Sequence, residues 1–541
     1  MNIQQQLVLL VKQSISDAGF GGEHGKELIL ELPLDPRFGD FTTNIALRLS
    51  KPLKIPPRQV AATLIEKMLL KLAVSELKGV LREIKVEGAG FINFYLDNGY
   101  FYSQLSDILM RGKEALKINA GNKRKVLIEF VSANPTGSLS VAHARQAAVG
   151  DSLANLLAFT GFNVQREYYL NDEGNQINIL GASVLCRLKQ LKGEALDFPE
   201  NYYQGDYIYD LAKNALAKNI PLDKFGEFAS AEILAVIKKE LIDFGVKFDC
   251  WYSQKELAQS GKVEEAFAFL EKQGFLYRSE GALWFKSTAF GDDKDRVVIK
   301  SDGSQTYLAP DIAYHQDKFK RGFDWLINLW GPDHHGYIQR IKASIEAFGH
   351  KPEYLTVVIV QLATIFRAGV LVQMSTRRGE YITLREVLDE VGSDAARFFF
   401  LMRRCSSHLD FDLEVAKKQS SENPVYYVQY AHARICSILR SQEAGKNPRL
   451  DLLKEKEELN LIKKLIYFRE VLNTCLTTAD PYMLTVYLQE LAESFHKFYD
   501  LHRVLGQDEQ LTNARLALIN GVRIVLSTGL ELLGVNRPEK M

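Results

Sequence analysis

The sequence predicts a multidomain α/β protein: a doubly wound parallel sheet with an inserted segment, a small α+β domain before it and an all-α region after it. Three observations carry this. At 541 residues the chain is too long for one core, since single domains run to about 150 residues. Strand-, helix- and strand-type runs succeed one another between residues 126 and 170, at the spacing of a parallel crossover. From about residue 385 the pattern is almost wholly helical to the end, with no glycine-rich linker inside it.

Residues 1–118 form the first domain. "MNIQQQLVLLVKQSI" has the apolar spacing of an amphipathic helix, and it lacks the basic start and small-residue cleavage site of a secretory signal. "ELILELPL" (27–34) reads as a strand. "DPRFGDFTTNIALRLSK" passes from turn residues through a capping Thr-Thr-Asn into a second helix. The prolines of "PLKIPPRQVAATLIEKMLLKL" start a third helix, and "EIKVEGAGFINFYL" (83–96) is a strand pair around Gly88-Ala89-Gly90.

The polar "NAGNKRK" (119–125) is a linker into the second domain, 119–384. "VLIEFVSA" (126–133) is a buried strand, "AHARQAAVGDSLANLLAFTGF" a long helix and "VQREYYL" the next strand. About 178–290 reads as a mostly helical, charge-rich insertion with one strand-like "LWFKST". Strand signals return in "DRVVIKSDGSQTYL" (295–308), turning at Asp302-Gly303, then in "WLINLWG" and "YLTVVIVQLA". The third domain is 385–541.

Hydrophobic residues make up 46% of the chain and charged ones 25%, the composition of a soluble globular protein with large cores. Its 67 basic and 67 acidic side chains cancel, which argues mildly against a nucleic-acid binder, although a zero sum can hide a basic face. Five cysteines with no C-x-x-C spacing read as reduced thiols of a cytoplasmic protein. No run of about 18 apolar residues is present, so no membrane partner is expected.

Four segments have chemistry to offer. In "NPTGSLSVAHARQ" (134–146) a turn leads into a helix, where unpaired N–H groups and the helix dipole attract phosphate. Ser140 or Ser138 would cap that helix, with His143 on its first turn; the same residues also suit a plain capped helix with a surface histidine. Ala-His-Ala-Arg recurs at 431–434 inside a continuous helical pattern, where the histidine serves packing or hydrogen bonding. "NLWGPDHHGYIQR" (328–340) ends a strand with Gly331, Pro332 and Asp333 before His334 and His335. A nucleotide contact is favoured there over a metal, because adjacent histidines point apart and no third ligand is near.

In "LVQMSTRRGEYITLREVLDEVG" (371–392), Arg377 and Arg378 suit a cationic loop over a leaving pyrophosphate, or simply a solvated basic turn. In "TYLAPDIAYHQDK" (306–318), Tyr307 and Asp311 stand four apart. If Asp311 shares a cleft with Glu129, the two carboxylates suit a planar five-donor cation. Otherwise Asp311 caps a helix and Glu129 makes a salt bridge.

Together, "EFVSANPTG", "YYLNDEGNQI" (168–177), "TYLAPDIAYH", "GPDHHGY", "MSTRRGEYITLREVLDEVG", "NPVYYVQYAHARI" (423–435) and "LLGVNRPEKM" resemble the arginyl-tRNA synthetases, a class I aminoacyl-tRNA synthetase family, over nearly the whole chain. The resemblance implies an N-terminal domain touching the tRNA elbow, a Rossmann-type catalytic domain and a C-terminal anticodon-binding bundle. It implies ATP with Mg²⁺, arginine and tRNA(Arg) as substrates and partners, and transfer of the arginyl group to a 2′-hydroxyl. A monomer is expected.

By the same resemblance Glu129, Asn134, Tyr307 and Asp311 hold arginine. Pro135, Thr136, Gly137, Ala142, His143, Gly331, Asp333, His335 and Met374 hold ATP, and Ser140, His143, Met374, Ser375 and Arg377 serve catalysis. Phe91 and Asn93 would touch the elbow, with strand core and turn as their alternative. Tyr426, Tyr427, Gln429 and Tyr430 would face the anticodon, some of them as core. The family's usual phosphate corner is His-Val-Gly-His; Ser140 and Ala142 depart from it, and Gln373 and Thr376 replace lysines common in class I loops. These departures imply slowed activation or, alternatively, a tRNA-binding variant that has lost it.

Overall fold

The computed structural model describes residues 3–20, 28–31, 33, 35–73, 75–372, 381–442, 445 and 447–541. Among them are two compact units, one of residues 1–111, 444–466 and 504–518, the other of 112–443, 467–503 and 519–541.

In the first unit, α1 (Ile3–Asp17) buries Leu7, Leu10, Val11 and Ile15, the apolar face its spacing predicts. Three antiparallel strands follow among helices: β1 (Phe41–Thr43), α2 (Ile45–Leu53), α3 (Pro57–Leu72), β2 (Leu81–Glu87), β3 (Phe91–Leu96) and α4 (Asn98–Arg111), in sheet order β1-β3-β2. Two expectations change here. The Thr-Thr stretch is strand β1 itself, and the Thr43 hydroxyl accepts the Ile45 N–H, while Asn44 makes no side-chain cap. Of the strand expected at 27–34, part lies outside the described residues, and Glu31 makes only an isolated bridge to Thr42. Gly90, at φ 134°, brings the hairpin tip so close to Pro57 that a Cβ there would stand 2.8 Å from the proline Cβ.

Residues 1–118 were expected to form a separate domain, but 1–111 share their unit with 444–466 and 504–518. The Tyr102 hydroxyl donates to the Leu453 carbonyl at 2.8 Å, and Lys463 Nζ lies 2.5 Å from Asp40.

The second unit is built on five parallel strands in the order β11-β10-β4-β5-β6. In chain order its elements are β4 (Lys125–Glu129), α5 (Val141–Phe159), β5 (Asn163–Leu170), α6 (Asn175–Leu191), α7 (Tyr207–Ala217), α8 (Phe225–Asp243), β6 (Cys250–Ser253), α9 (Gln254–Gln259) and α10 (Lys262–Lys272). Next come β7 (Leu276–Ser279), β8 (Ala282–Phe285), β9 (Arg296–Ile299), α11 (Leu308–Lys320), β10 (Trp325–Trp330), α12 (Ile338–Ala347) and β11 (Leu355–Ile359). Strand β6 corrects the expected insertion: residues 250–253 lie within 178–290, yet they pair in parallel with β5 as the sheet's edge. Four residues of intermediate burial leave no alternation to read.

Beyond the sheet, β12 (Ala363–Arg367) and β13 (Val370–Leu371) make a hairpin whose turn, Ala368-Gly369, has positive φ at both positions, as tight hairpins require. α13 (Leu384–Leu401) opens with a Thr383–Glu386 capping box and kinks at Gly392. β14 (Leu409–Asp412) then pairs in parallel with β12, a strand inside the region expected to be wholly helical. α14 (Leu413–Lys417), α15 (Pro424–Ser441), α16 (Lys456–Thr478), α17 (Tyr482–Leu501) and α18 (Glu509–Leu532) complete the chain.

Helix α5 is held by two buried arginines. Arg145 donates to the carbonyls of Gln361, Leu362, Arg404 and Ser407. Arg397, on α13, donates to Asp151 at 2.6 Å and to the carbonyls of Leu533 and Phe244. Gly534 is obligatory beside it, because a Cβ there would lie 2.3 Å from the guanidinium. Removing a buried partner strands the other charge. Arg397→Met is therefore expected to destabilise the protein by about 3 kcal/mol, since Asp151 then keeps only longer contacts among the described residues, to Arg166 and Asn155 at 3.3 Å each; the midpoint of urea unfolding checks this.

Candidate active site

Strand order reverses between β4 and β10, with β5 and β6 to one side and β11 to the other. In open parallel sheets ligands bind at the carboxyl ends of the strands on either side of such a switch. Residues 130–143 leave β4 there and residues 331–337 leave β10 there, so tertiary structure brings the two predicted segments to one crevice.

The β4 exit is strained. Val131 and Ser132 have φ of 68° and 41°, the left-handed region that a β-branched valine rarely adopts. The turn aims the Ser132 hydroxyl at Glu129 Oε1, 3.1 Å away, while its oxygen accepts the Tyr169 N–H. Beyond it, the Asn134 side chain is fixed at both ends, accepting from Asn171 at 2.7 Å and donating to Gln176 at 2.6 Å. The carbonyls of Thr136, Ser138 and Leu139 accept from Tyr207, Tyr381 and the Leu384 N–H. The loop's acceptors are thus spent on protein donors.

Ser140 is the N-cap of α5 and forms a capping box with His143. His143 Nδ1 accepts the Ser140 backbone N–H at 3.2 Å and lies 3.1 Å from the serine hydroxyl. Because Nδ1 accepts, the neutral ring carries its proton on Nε2. Burial pushes its pKa down to about 4. Ala142 sits half-buried on the first turn. The second Ala-His-Ala-Arg copy behaves as expected of a helix face: His432 Nδ1 is hydrogen-bonded to the Pro538 carbonyl at 2.9 Å.

Glu129 is buried, and Lys318, itself fully buried, donates to its Oε2 at 2.6 Å and to Asn328 at 3.2 Å. Asp311, on the first turn of α11, accepts from the Tyr337 hydroxyl at 2.9 Å. Burial pushes the Asp311 carboxyl up to about 7, and the charge of Glu129 pushes the same way. Of the two modest alternatives, Glu129 has its salt bridge, whereas Asp311 lies within the first turn and makes no cap, the N-cap of α11 being Tyr307. His315 is neutral by burial, bonded to the Asp311 carbonyl and to Asn328. Sequence reasoning missed Lys318, Ser132 and Tyr337. The spacing of Asp311, His315 and Lys318 at i, i+4 and i+7 on one helix face was the available signal for the first.

Tyr307 precedes α11 and is 78% exposed. Pro332–Tyr337 form a 3₁₀ turn carrying exposed His334 and His335, with Asp333 3.5 Å from His334. Gly331 is closed in by Asp333, whose carboxylate a Cβ would meet at 2.6 Å. Met374, Ser375 and Arg377, with Gln373, Thr376 and Arg378, lie outside the described residues. Among the described residues no group of three His, Cys, Asp or Glu gathers to hold a metal.

Of the proposed tRNA contacts, Phe91 is exposed on β3, whereas Asn93 is buried and accepts from Thr42 at 2.6 Å. Gln429 is also turned inward, donating to Asp394 and the Asn536 carbonyl. Tyr426 and Tyr430 stack nearly parallel, 9° apart, on α15; Tyr427 lies against His496, and Arg434 covers Tyr430 and Tyr499. Tyr430 is exposed and the others are half-buried; aromatic and guanidinium planes at a surface suit stacking on unpaired bases.

A parallel sheet with a helix-opening corner at its switch point is the architecture of class I synthetases, and residues 104–404 match the family described as tRNA synthetases class I (R), catalytic domain. Residues 5–96 match the arginyl tRNA synthetase N terminal domain, and residues 428–541 the DALR anticodon binding domain. The arginine–tRNA ligase of Citrifermentans bemidjiense is 48% identical over 529 residues, 95% of this chain and 94% of that one. That of Geobacillus kaustophilus is 46% identical over the full length of both. The fold is also that of the Thermus thermophilus arginyl-tRNA synthetase, with a TM-score of 0.79 at 22% identity over all of both chains. The chain belongs to the arginyl-tRNA synthetase family. Among the described residues no helix is long and apolar enough to cross a membrane.

The His143 geometry is testable by nitrogen-edited NMR, which is expected to show an Nε2-protonated neutral ring from pH 5 upward, titrating near pH about 4. The unfolded chain binds the proton at about 6.5. This histidine's stabilising contribution is therefore complete above that pH and falls as pH drops towards 4.

Proposed function

We propose that the site activates arginine with ATP, releasing pyrophosphate, and passes the arginyl group to the 2′-hydroxyl of the terminal adenosine of tRNA(Arg). The observation that carries this is the placement of two carboxylates, Glu129 and Asp311, beside a phosphate-type corner at the sheet's switch point. Lys318 and the Ser132 hydroxyl donate to the two oxygens of Glu129, and Tyr337 donates to Asp311 Oδ2. The lone pairs left over, Asp311 Oδ1 foremost, can take a guanidinium by charge-assisted hydrogen bonds.

In this reading Asn134 and Tyr307 hold the amino-acid end. Pro135, Thr136 and Gly137, with the start of α5, take the phosphates; His143 donates through Nε2–H; Gly331, Asp333 and His335 take the ribose and base. The arginine carboxylate attacks the α-phosphorus and pyrophosphate leaves; Mg²⁺ bound with the ATP would offset the charge of the phosphates. Met374, Ser375 and Arg377 serve this step by their match to the family's motif. The 2′-hydroxyl then attacks the anhydride carbonyl and AMP leaves. Phe91, Tyr426, Tyr427 and Tyr430 contact the tRNA, with Asn93 and Gln429 acting from within as supports. Ser140 and Ala142 sit in a formed, capped helix start, which supports an active enzyme in spite of the missing first histidine.

Arginine-dependent exchange between ATP and pyrophosphate, measured with and without tRNA, tests the reading. Exchange is expected, and Asp311→Asn is expected to lower kcat/KM for arginine by about 10- to 100-fold. Tight tRNA binding with no exchange would overturn it.

A second outcome follows from the raised Asp311 pKa. Guanidinium binding favours the carboxylate, so protonation competes with arginine. The KM for arginine is expected to rise about tenfold between pH 8 and pH 6, and a flat profile would exclude Asp311 as the partner.

A further inference from the structure

Tyr169 stands at the carboxyl end of β5, one strand from Glu129. Its ring packs in a cluster with Tyr314, at 4.4 Å and 28°, and Tyr252, at 6.3 Å and 21°, which also touch each other at 4.8 Å. The residue is only 5% exposed, yet its hydroxyl has no hydrogen-bond partner among the described residues. Buried hydroxyls without partners are rare, and one retained in a native core calls for an explanation. Its neighbours supply one. Tyr169 donates its backbone N–H to Ser132, and Ser132 in turn donates to Glu129. Burial holds the phenol neutral, and the charges of Asp311 and Glu129 act on it in the same direction; the ring packs on Tyr314, over which the Lys318 ammonium that pairs with Glu129 lies at 4.1 Å.

A guanidinium brings five N–H donors. The two oxygens of Glu129 are engaged by Lys318 and Ser132, and one of Asp311 by Tyr337. We propose that the Tyr169 hydroxyl is a third polar group of the arginine pocket, accepting one guanidinium N–H while its own hydrogen turns to a neighbouring carboxylate. Tyr169 is thus a specificity-determining residue, rigidly placed by its two flanking rings. The proposal rests on the arginine-activating reading above.

Steady-state aminoacylation and thermal unfolding of the full chain and of Tyr169→Phe test it. The substitution removes only an oxygen that the fold itself does not use. The KM for arginine is expected to rise about five- to twentyfold, with kcat within about twofold and the KM values for ATP and tRNA unchanged. Without arginine the Tm is expected to be unchanged or higher, while the upward shift produced by saturating L-arginine shrinks. An unchanged arginine KM overturns the proposal, as does a lowered Tm with all three KM values raised together, the mark of a structural role. Absence of arginine-dependent activity in the unsubstituted chain overturns the arginine reading itself, and this proposal with it.

Discussion

The site depends on the burial of one ion pair, Glu129 with Lys318. Neither charge is tolerable alone in a core, and such a pair adds little net stability over an apolar equivalent. What it adds is position. Because Lys318 comes from α11 and Glu129 from β4, the helix can settle on the sheet in only one register, and that register sets Asp311 two turns back at the mouth of the crevice. Asn328 and His315 complete the arrangement from β10 and α11. The polar network thus joins three elements at the point where strand order reverses.

A second constraint acts on α5. Its N-terminus carries the Ser140–His143 box, but its placement is governed from the far side by Arg145 and Arg397, which spend their donors largely on backbone carbonyls. Carbonyls of residues 404, 407 and 533 are distant in sequence, so the phosphate corner is ordered by the segments that follow the catalytic strands. The strain at Val131 and Ser132 fits this picture. An unfavourable backbone persists where surrounding structure over-determines it, and here it is fixed by Tyr169 and Glu129.

Much of this architecture was legible. The β4–α5–β5 crossover, the α3 start at paired prolines, the β2–β3 hairpin and the β10 strand all follow from apolar period and turn residues. The neighbourhood of Glu129 and Asp311 was readable only as a condition, because whether a strand end and a helix start share a cleft is decided by packing. Other elements gave no local signal. Strand β6 is four half-buried residues, β14 is a short strand between helices, and the role of Lys318 is invisible until α11 has a partner to face. Asn93 and Gln429 could each be read as a tRNA contact or as core, and only their burial shows that they bond inward.

By itself, then, the sequence determined the element types, the two loops that meet the ligand crevice and the family to which the chain belongs, because these rest on local periodicity and on contiguous motifs. Tertiary structure alone decided which strand closes the sheet edge, which stretches of the C-terminal helices join residues 1–111 in one unit, and which charges are spent internally. Those outcomes depend on pairings across about 80 residues or more, and no local pattern encodes them. The hydroxyl of Tyr169 is the clearest case: in sequence it is one aromatic of a strand, and only folding leaves it buried without a hydrogen-bond partner among the described residues.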